Sequence, residues 1–67
     1  MEISKQLRFY RSQNHLTQDA VAHALNISRK TVSGWENGRS KPDIVCTAKL
    51  CRLYGISFEE LITAGKQ

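Results

Sequence analysis

The stretch from Gln18 to Asn37, QDAVAHALNISRKTVSGWEN, constrains this chain more than any other. Its first half places Ala20, Val21, Ala22, Ala24 and Leu25 inward and leaves Gln18, Asp19 and His23 for solvent, the pattern of a short amphipathic helix. In its second half Val32 and Trp35 stand three apart and share a helical face, while Arg29, Lys30 and Ser33 occupy the other. Between the halves lies Leu25-Asn26-Ile27-Ser28. Asn26 tolerates a left-handed backbone and Ser28 caps the helix that follows. The expectation is two short helices joined by a tight turn, the second with a basic outer face, and a remainder that holds the second helix in place.

The rest of the chain reads as helices too. Ile3, Leu7 and Tyr10 recur at i, i+4 and i+7, which predicts a first helix over Ile3–Ser12 with Lys5, Arg8, Phe9 and Arg11 off its inward stripe. Gln13-Asn14-His15 is a turn, with Leu16 just before the cap Thr17 of a helix over Gln18–Leu25. A third helix covers Ser28–Glu36 and ends at Asn37-Gly38, where Gly38 suits a positive φ. After the polar loop Arg39-Ser40-Lys41-Pro42, Asp43 caps a fourth helix that reaches Tyr54, with Ile44, Thr47, Ala48, Leu50, Cys51 and Tyr54 on its core side. Ser57 and Glu60 form a capping box for a fifth over Phe58–Ala64, before Gly65. No segment alternates with the two-residue period of a strand. The predicted fold is all-α: one compact five-helix domain over residues 1–67, its motif core at 17–37.

Charge and chemistry narrow the function. The chain carries a net charge of +4, and four bases (Arg29, Lys30, Arg39, Lys41) against one acid (Glu36) fall between Ser28 and Lys41. That concentration beside a helix, turn and helix points to nucleic acid. A 67-residue chain leaves little room for a pocket. It shows no phosphate-binding glycine loop, no paired carboxylates at a strand end, and no nucleophile with a base, so neither a catalytic function nor a cofactor is expected. His15, His23, Cys46 and Cys51 fit no compact metal-ligand spacing. The two cysteines lie about 140° apart around a helix, which predicts free thiols and, with no secretory or membrane-spanning run, a cytoplasmic protein.

Residues 16–43, LTQDAVAHALNISRKTVSGWENGRSKPD, resemble the lambda-repressor-like helix-turn-helix family of phage repressors, Cro proteins and small bacterial regulators. The matching positions are Gln18, Ala22, Asn26, Val32, Trp35 and the string Trp35-Glu36-Asn37-Gly38, and the likeness extends from Ile3 to Ala64. Asn26 replaces the glycine the family most often has in the turn. Gly34 stands at an outward position where relatives often carry a long polar side chain. It either removes a base contact or lets the backbone approach DNA closely, and the sequence leaves both readings open.

The resemblance implies that the third helix enters the major groove of double-stranded DNA. Arg29 and Lys30 then open the reading face, with Ser33 beside them and Ser28 sharing its hydroxyl between cap and DNA. Gln18, Thr31, Asn37, Arg39 and Lys41 are the phosphate candidates, although Thr31 also suits packing and Lys41 an ordinary loop charge. Arg11 is expected to pair with Glu36, with Ala22, Asn26, Val32 and Trp35 as structural supports. Cys51 is expected to be buried and inert. The implied function is a repressor-like transcriptional regulator acting as a homodimer on a roughly palindromic site, joined through the fifth helix by Phe58 and Ile62. The competing reading is an antitoxin or adaptor module whose main partner is a protein.

Overall fold

Each turn between helices is closed by a side chain or a left-handed residue, and this spaces the helices along the chain. The computed structural model describes residues 3–63, comprising α1 (Ser4–Gln13), α2 (Gln18–Leu25), α3 (Arg29–Glu36), α4 (Ile44–Tyr54) and α5 (Phe58–Thr63), with no strand among the described residues. Thr17 accepts from the Ala20 amide at 3.0 Å, Ser28 from the Thr31 amide at 3.2 Å and Asp43 from the Cys46 amide at 2.7 Å. The α5 capping box closes from both sides: the Glu60 amide donates to the Ser57 hydroxyl at 3.0 Å and the Ser57 amide to Glu60 Oε1 at 2.8 Å. Each such cap satisfies a donor the helix cannot, a contribution of about 1 kcal/mol. Ser28 caps α3 as the sequence reading expects, and the helix itself begins one residue later than the expected span, at Arg29. Ala64 and Gly65, the expected end of the fifth helix, lie outside the described residues.

Two non-glycine residues terminate helices in the left-handed region. Asn26 does so at φ 59° and ψ 46°, as its place in the turn requires. His15 does so after α1 at φ 57°, and the Leu16 amide then donates back to the Arg11 carbonyl at 3.1 Å. Asn and His are among the few side chains that tolerate this conformation.

All five helices supply the core: Leu7 from α1; Val21, Ala22 and Leu25 from α2; Val32 and Trp35 from α3; Leu50, Cys51 and Tyr54 from α4; Leu61 from α5. Full burial of one such aliphatic side chain contributes about 1.5–3 kcal/mol. Two helix faces differ from the sequence expectation. Ala20 and Ala24 of α2 are exposed, because Val21, Ala22 and Leu25 alone turn toward α3 and α4. On α4 the buried arc is Thr47, Leu50, Cys51 and Tyr54. Ile44 and Ala48 fall at its edge, about 70° and 110° from its centre. Among the described residues no element covers the first turn of α4, and Ile44 is 85% exposed.

Tyr54 yields a pH prediction. Burial, reinforced by the Glu36 charge and opposed by Arg11, pushes its phenol up to about 12. The folded state therefore holds this proton more tightly than the unfolded chain, where the phenol titrates near ~10. The resulting stability is complete below about pH 10 and lost as pH rises toward about 12. Tyr54→Phe removes the titrating group. Thermal melts of the two proteins are expected to converge in favour of the variant between about pH 10 and 12, and parallel curves there would refute the effect.

Candidate nucleic-acid interface

The turn at Asn26 fixes the angle between α2 and α3. Val21, Ala22 and Leu25 meet Val32 and Trp35, so α3 is held along one side and its opposite side faces outward. The cap Ser28 and the first-turn residues Arg29, Lys30 and Thr31 are exposed, and Ser33 is half-buried. Gln18, Arg29, Lys30, Ser33 and Arg39 line one open polar cleft along that side. Five of the sequence-derived candidates, from two helices and a loop, thus meet on one surface.

Their present partners are weak and exchangeable. Arg29 Nε lies 3.7 Å from the Asp19 carboxylate with both side chains exposed, a pair that contributes about 0–1 kcal/mol and is easily exchanged for a phosphate. The Ser28 and Thr31 hydroxyls share a hydrogen bond at 2.9 Å while Ser28 also caps α3. Asn37 donates to the Ser33 hydroxyl at 3.2 Å and accepts from Arg8 at 3.4 Å. Arg8 therefore adds a cation beside the end of α3. The sequence pattern placed it only off the inward stripe, since nothing local to α1 reveals what crosses it. Lys41 does not line the polar cleft. It borders an apolar one near the start of α4.

Behind this surface lies a charged brace. Glu36 closes α3 with its side chain 1% exposed, and Arg11 reaches it from α1 by two parallel bonds, Nε to Oε2 at 2.7 Å and Nη2 to Oε1 at 3.1 Å. Arg11 also donates to the Leu16 carbonyl at 2.8 Å, and Gln18 Nε2 donates to Glu36 Oε1 at 3.0 Å. The Glu36 hydrogen bond raises the Arg11 pKa further, against the opposing effect of burial. The brace thus joins α1, the turn before α2, the start of α2 and the end of α3. It also fixes one amide hydrogen of Gln18, whose contribution to an anion then rests on the remaining donors at the α2 N-terminus.

Gly34 requires a correction. It is buried rather than presented outward. The chain folds back after Asn37, the Arg39 amide donates to the Gly34 carbonyl at 3.0 Å, and a Cβ at Gly34 would stand 3.2 Å from the Ser40 hydroxyl. The glycine makes room for the Arg39–Ser40 loop, which brings Arg39 onto the polar cleft. The loop covers the glycine, so the middle of this side of α3 is not bare.

Other chemistry at the surface is sparse. Among the described residues no cluster of metal-binding side chains occurs, and no helix is long and apolar enough to cross a membrane. Cys51 is buried, and burial pushes both its thiol and that of Cys46 up, which keeps them protonated at neutral pH.

Two helices packed at a left-handed turn, the second with a polar outer face backed by an apolar inner one, define a helix-turn-helix domain. A family model described as a helix-turn-helix domain matches residues 5–66, and the chain belongs to that family. It is 29% identical over 59 residues to an uncharacterized helix-turn-helix-type transcriptional regulator of Methanocaldococcus jannaschii, covering 88% of this chain and 89% of that one. It is 29% identical to the transcriptional activator BcrR of Enterococcus faecalis over 94% of this chain but 31% of the longer protein. It is 28% identical to the cryptic phage CTXphi transcriptional repressor RstR of Vibrio cholerae, over 90% of this chain and 54% of that one. Among solved structures, the clp gene regulator ClgR from C. glutamicum superposes with a TM-score of 0.85 at 25% identity, covering 98% of this chain and 88% of that one. The family and these relatives are transcriptional regulators, not enzymes.

Proposed function

We propose that this chain is a sequence-specific DNA-binding transcriptional regulator that inserts α3 into the major groove. The observation that carries the reading is the convergence of Gln18, Arg29, Lys30, Ser33 and Arg39 on one open polar cleft, on a helix whose other side is locked in the core. Arg29 and Lys30, on the first turn of α3, meet base edges, where an arginine takes guanine O6 and N7 together. Ser33 supports them, and Ser28 contributes after its capping duty. Gln18, Thr31, Asn37 and Arg39 clamp phosphates and set the register. Lys41 extends the clamp at the far end of the loop. The protein works as a homodimer in the cytoplasm, on a near-palindromic site with half-sites about 34 Å apart. Its face offers occupancy of DNA rather than any further chemistry, which suits a repressor-like mode.

The test is selection of bound duplexes from a random pool, followed by affinity measurements across salt. Log affinity is expected to fall linearly with log salt, with a slope of about −0.9 per phosphate neutralised. Arg29→Ala is expected to cost about 1–3 kcal/mol on the selected site and less on random DNA. Arg39→Ala is expected to weaken both about equally and to reduce the slope by about 1. Salt-independent affinity would instead favour a module whose main partner is a protein. Equal losses for both variants on every sequence would overturn the division between reading and clamping.

A further inference from the structure

Two helices begin with an apolar residue directly after a polar cap, and in both cases that residue is exposed. Ile44 follows Asp43 at the start of α4 and is 85% exposed, and Phe58 follows Ser57 at the start of α5 and is 58% exposed. Both side chains line one cleft of about 720 Å³ between these helices. Its deeper lining is covered: Thr47 and Cys51 are buried and Ile56 is half-buried. Ala48 also lines it, and a side chain of one methyl leaves the space open. The cleft is therefore concave rather than flat, and its volume lies within the range of about 300–1,000 Å³ typical of small-molecule sites.

We infer that this cleft binds a small amphiphilic anion, with an acyl chain between Ile44 and Phe58 and a carboxylate on Arg52. The polar groups of the lining select the ligand. The Thr47 hydroxyl already donates to the Asp43 carbonyl at 2.7 Å, and the buried Cys51 thiol stays protonated. That leaves Lys41 and Arg52 to meet the polar end of a ligand, and both are exposed cations. Neither forms an ion pair among the described residues. No acidic side chain among those residues lines the cleft: Asp43 and Glu60 are engaged in helix caps, and Glu59 stands outside it. A cationic or neutral amphiphile would leave this basic rim unmatched, whereas a carboxylate fits the fork of the Arg52 guanidinium. Arg52 follows Ile44 by eight residues, about 12 Å along α4, so head group and chain end are separated by the length of the apolar lining. The same charges disfavour a second copy, because a two-fold contact centred here would oppose two basic rims. Ile62, the other residue expected at an α5 contact between copies, does not line the cleft. The cleft shares no residue with the polar one, so the site stands apart from the DNA-binding reading.

Isothermal calorimetry of the full chain with sodium decanoate, kept below its micelle-forming range, tests this. Saturable binding of one anion per chain is expected. Affinity should rise about fourfold per methylene from octanoate to dodecanoate as more of the chain is buried. Decyltrimethylammonium, with the same chain and the opposite charge, is expected to bind at least about tenfold more weakly. Arg52→Gln is expected to weaken decanoate binding at least about tenfold and to bring the two probes together. Ala48→Phe fills the cleft and is expected to abolish binding. Both positions are exposed, so circular dichroism melts of these variants should match the unmodified chain. Binding that ignores both substitutions, or equal affinity of the unmodified chain for the two probes, would overturn the site. So would the absence of saturable binding, and a fall in the mass measured by sedimentation equilibrium on Ile44→Glu would then assign the cleft to a second copy instead.

Discussion

Trp35→Ala is expected to unfold the domain or bring it to the edge of unfolding, at a cost of about 3–5 kcal/mol. Trp35 is 5% exposed and belongs to the core that all five helices share. Truncation there removes the largest apolar contribution of α3 and leaves a cavity that short, multiply capped helices cannot collapse to fill. Domains of this size have total stabilities near the low end of about 5–15 kcal/mol, so the loss is most of the available margin. The measurement is urea unfolding followed by circular dichroism, since the variant lacks the chain's single tryptophan. Phe9→Ala is the internal control. Phe9 is 49% exposed and packs edge-to-face with Tyr10, with ring centroids 5.1 Å apart. Its truncation is expected to cost less than about 1 kcal/mol. Similar losses for the two variants would mean that aromatic content rather than burial decides, and would refute the placement of Trp35 as the pin of α3.

The caps were legible because they are local. Thr17, Ser28, Asp43 and the pair Ser57 and Glu60 each act on an amide three residues away, so the sequence alone specifies both partners. Asn26 was legible for the same reason: its side chain tolerates the left-handed backbone that the turn needs. Helix periodicity gave the centre of each buried face but not its edges. Ile44 and Ala48 lie on the margin of the α4 arc, and whether a marginal residue is covered depends on elements distant in sequence, none of which covers the first turn of α4 among the described residues. Gly34 was misplaced by the same mechanism in reverse. Its helical position is that of an outward residue, yet the loop at Arg39 and Ser40 folds back over it. That contact depends on the path of the chain after Asn37, which no helix period records. The contact from Arg8 to Asn37 spans 29 residues and was beyond any local pattern.

With Gly34 under the loop, the centre of α3 is no longer a gap in a reading face. It is the seat from which Arg39 is presented next to Lys30 and Ser33. A substitution at Gly34 is therefore expected to act first on the Arg39–Ser40 loop, where an added Cβ would crowd the Ser40 hydroxyl.

The second large effect is expected from Arg11→Met, at about 3 kcal/mol, because it leaves the Glu36 carboxylate buried without its counter-charge. Glu36 has 1% of its side chain exposed against 18% for Arg11, so the two halves of the pair are not equivalent. Glu36→Leu strands an arginine that still reaches the Leu16 carbonyl and partly meets solvent, and its cost is expected to be lower, about 1–3 kcal/mol. The double variant replaces the pair by apolar groups and is expected to be more stable than Arg11→Met alone. Urea titrations of the three proteins close the cycle. A loss below about 1 kcal/mol for Arg11→Met would place the pair among ordinary surface salt bridges and remove the brace from the account. The same cycle has a functional arm. Gln18 donates to Glu36 Oε1, so loosening the brace is expected to shift the start of α2 relative to α3 without deleting any group of the proposed DNA-binding face. At a temperature where Arg11→Met remains folded, DNA affinity is expected to fall while the salt slope stays that of the unmodified protein. A changed slope would mean that Arg11 itself meets the phosphate backbone, because only a lost phosphate contact alters the number of counterions released.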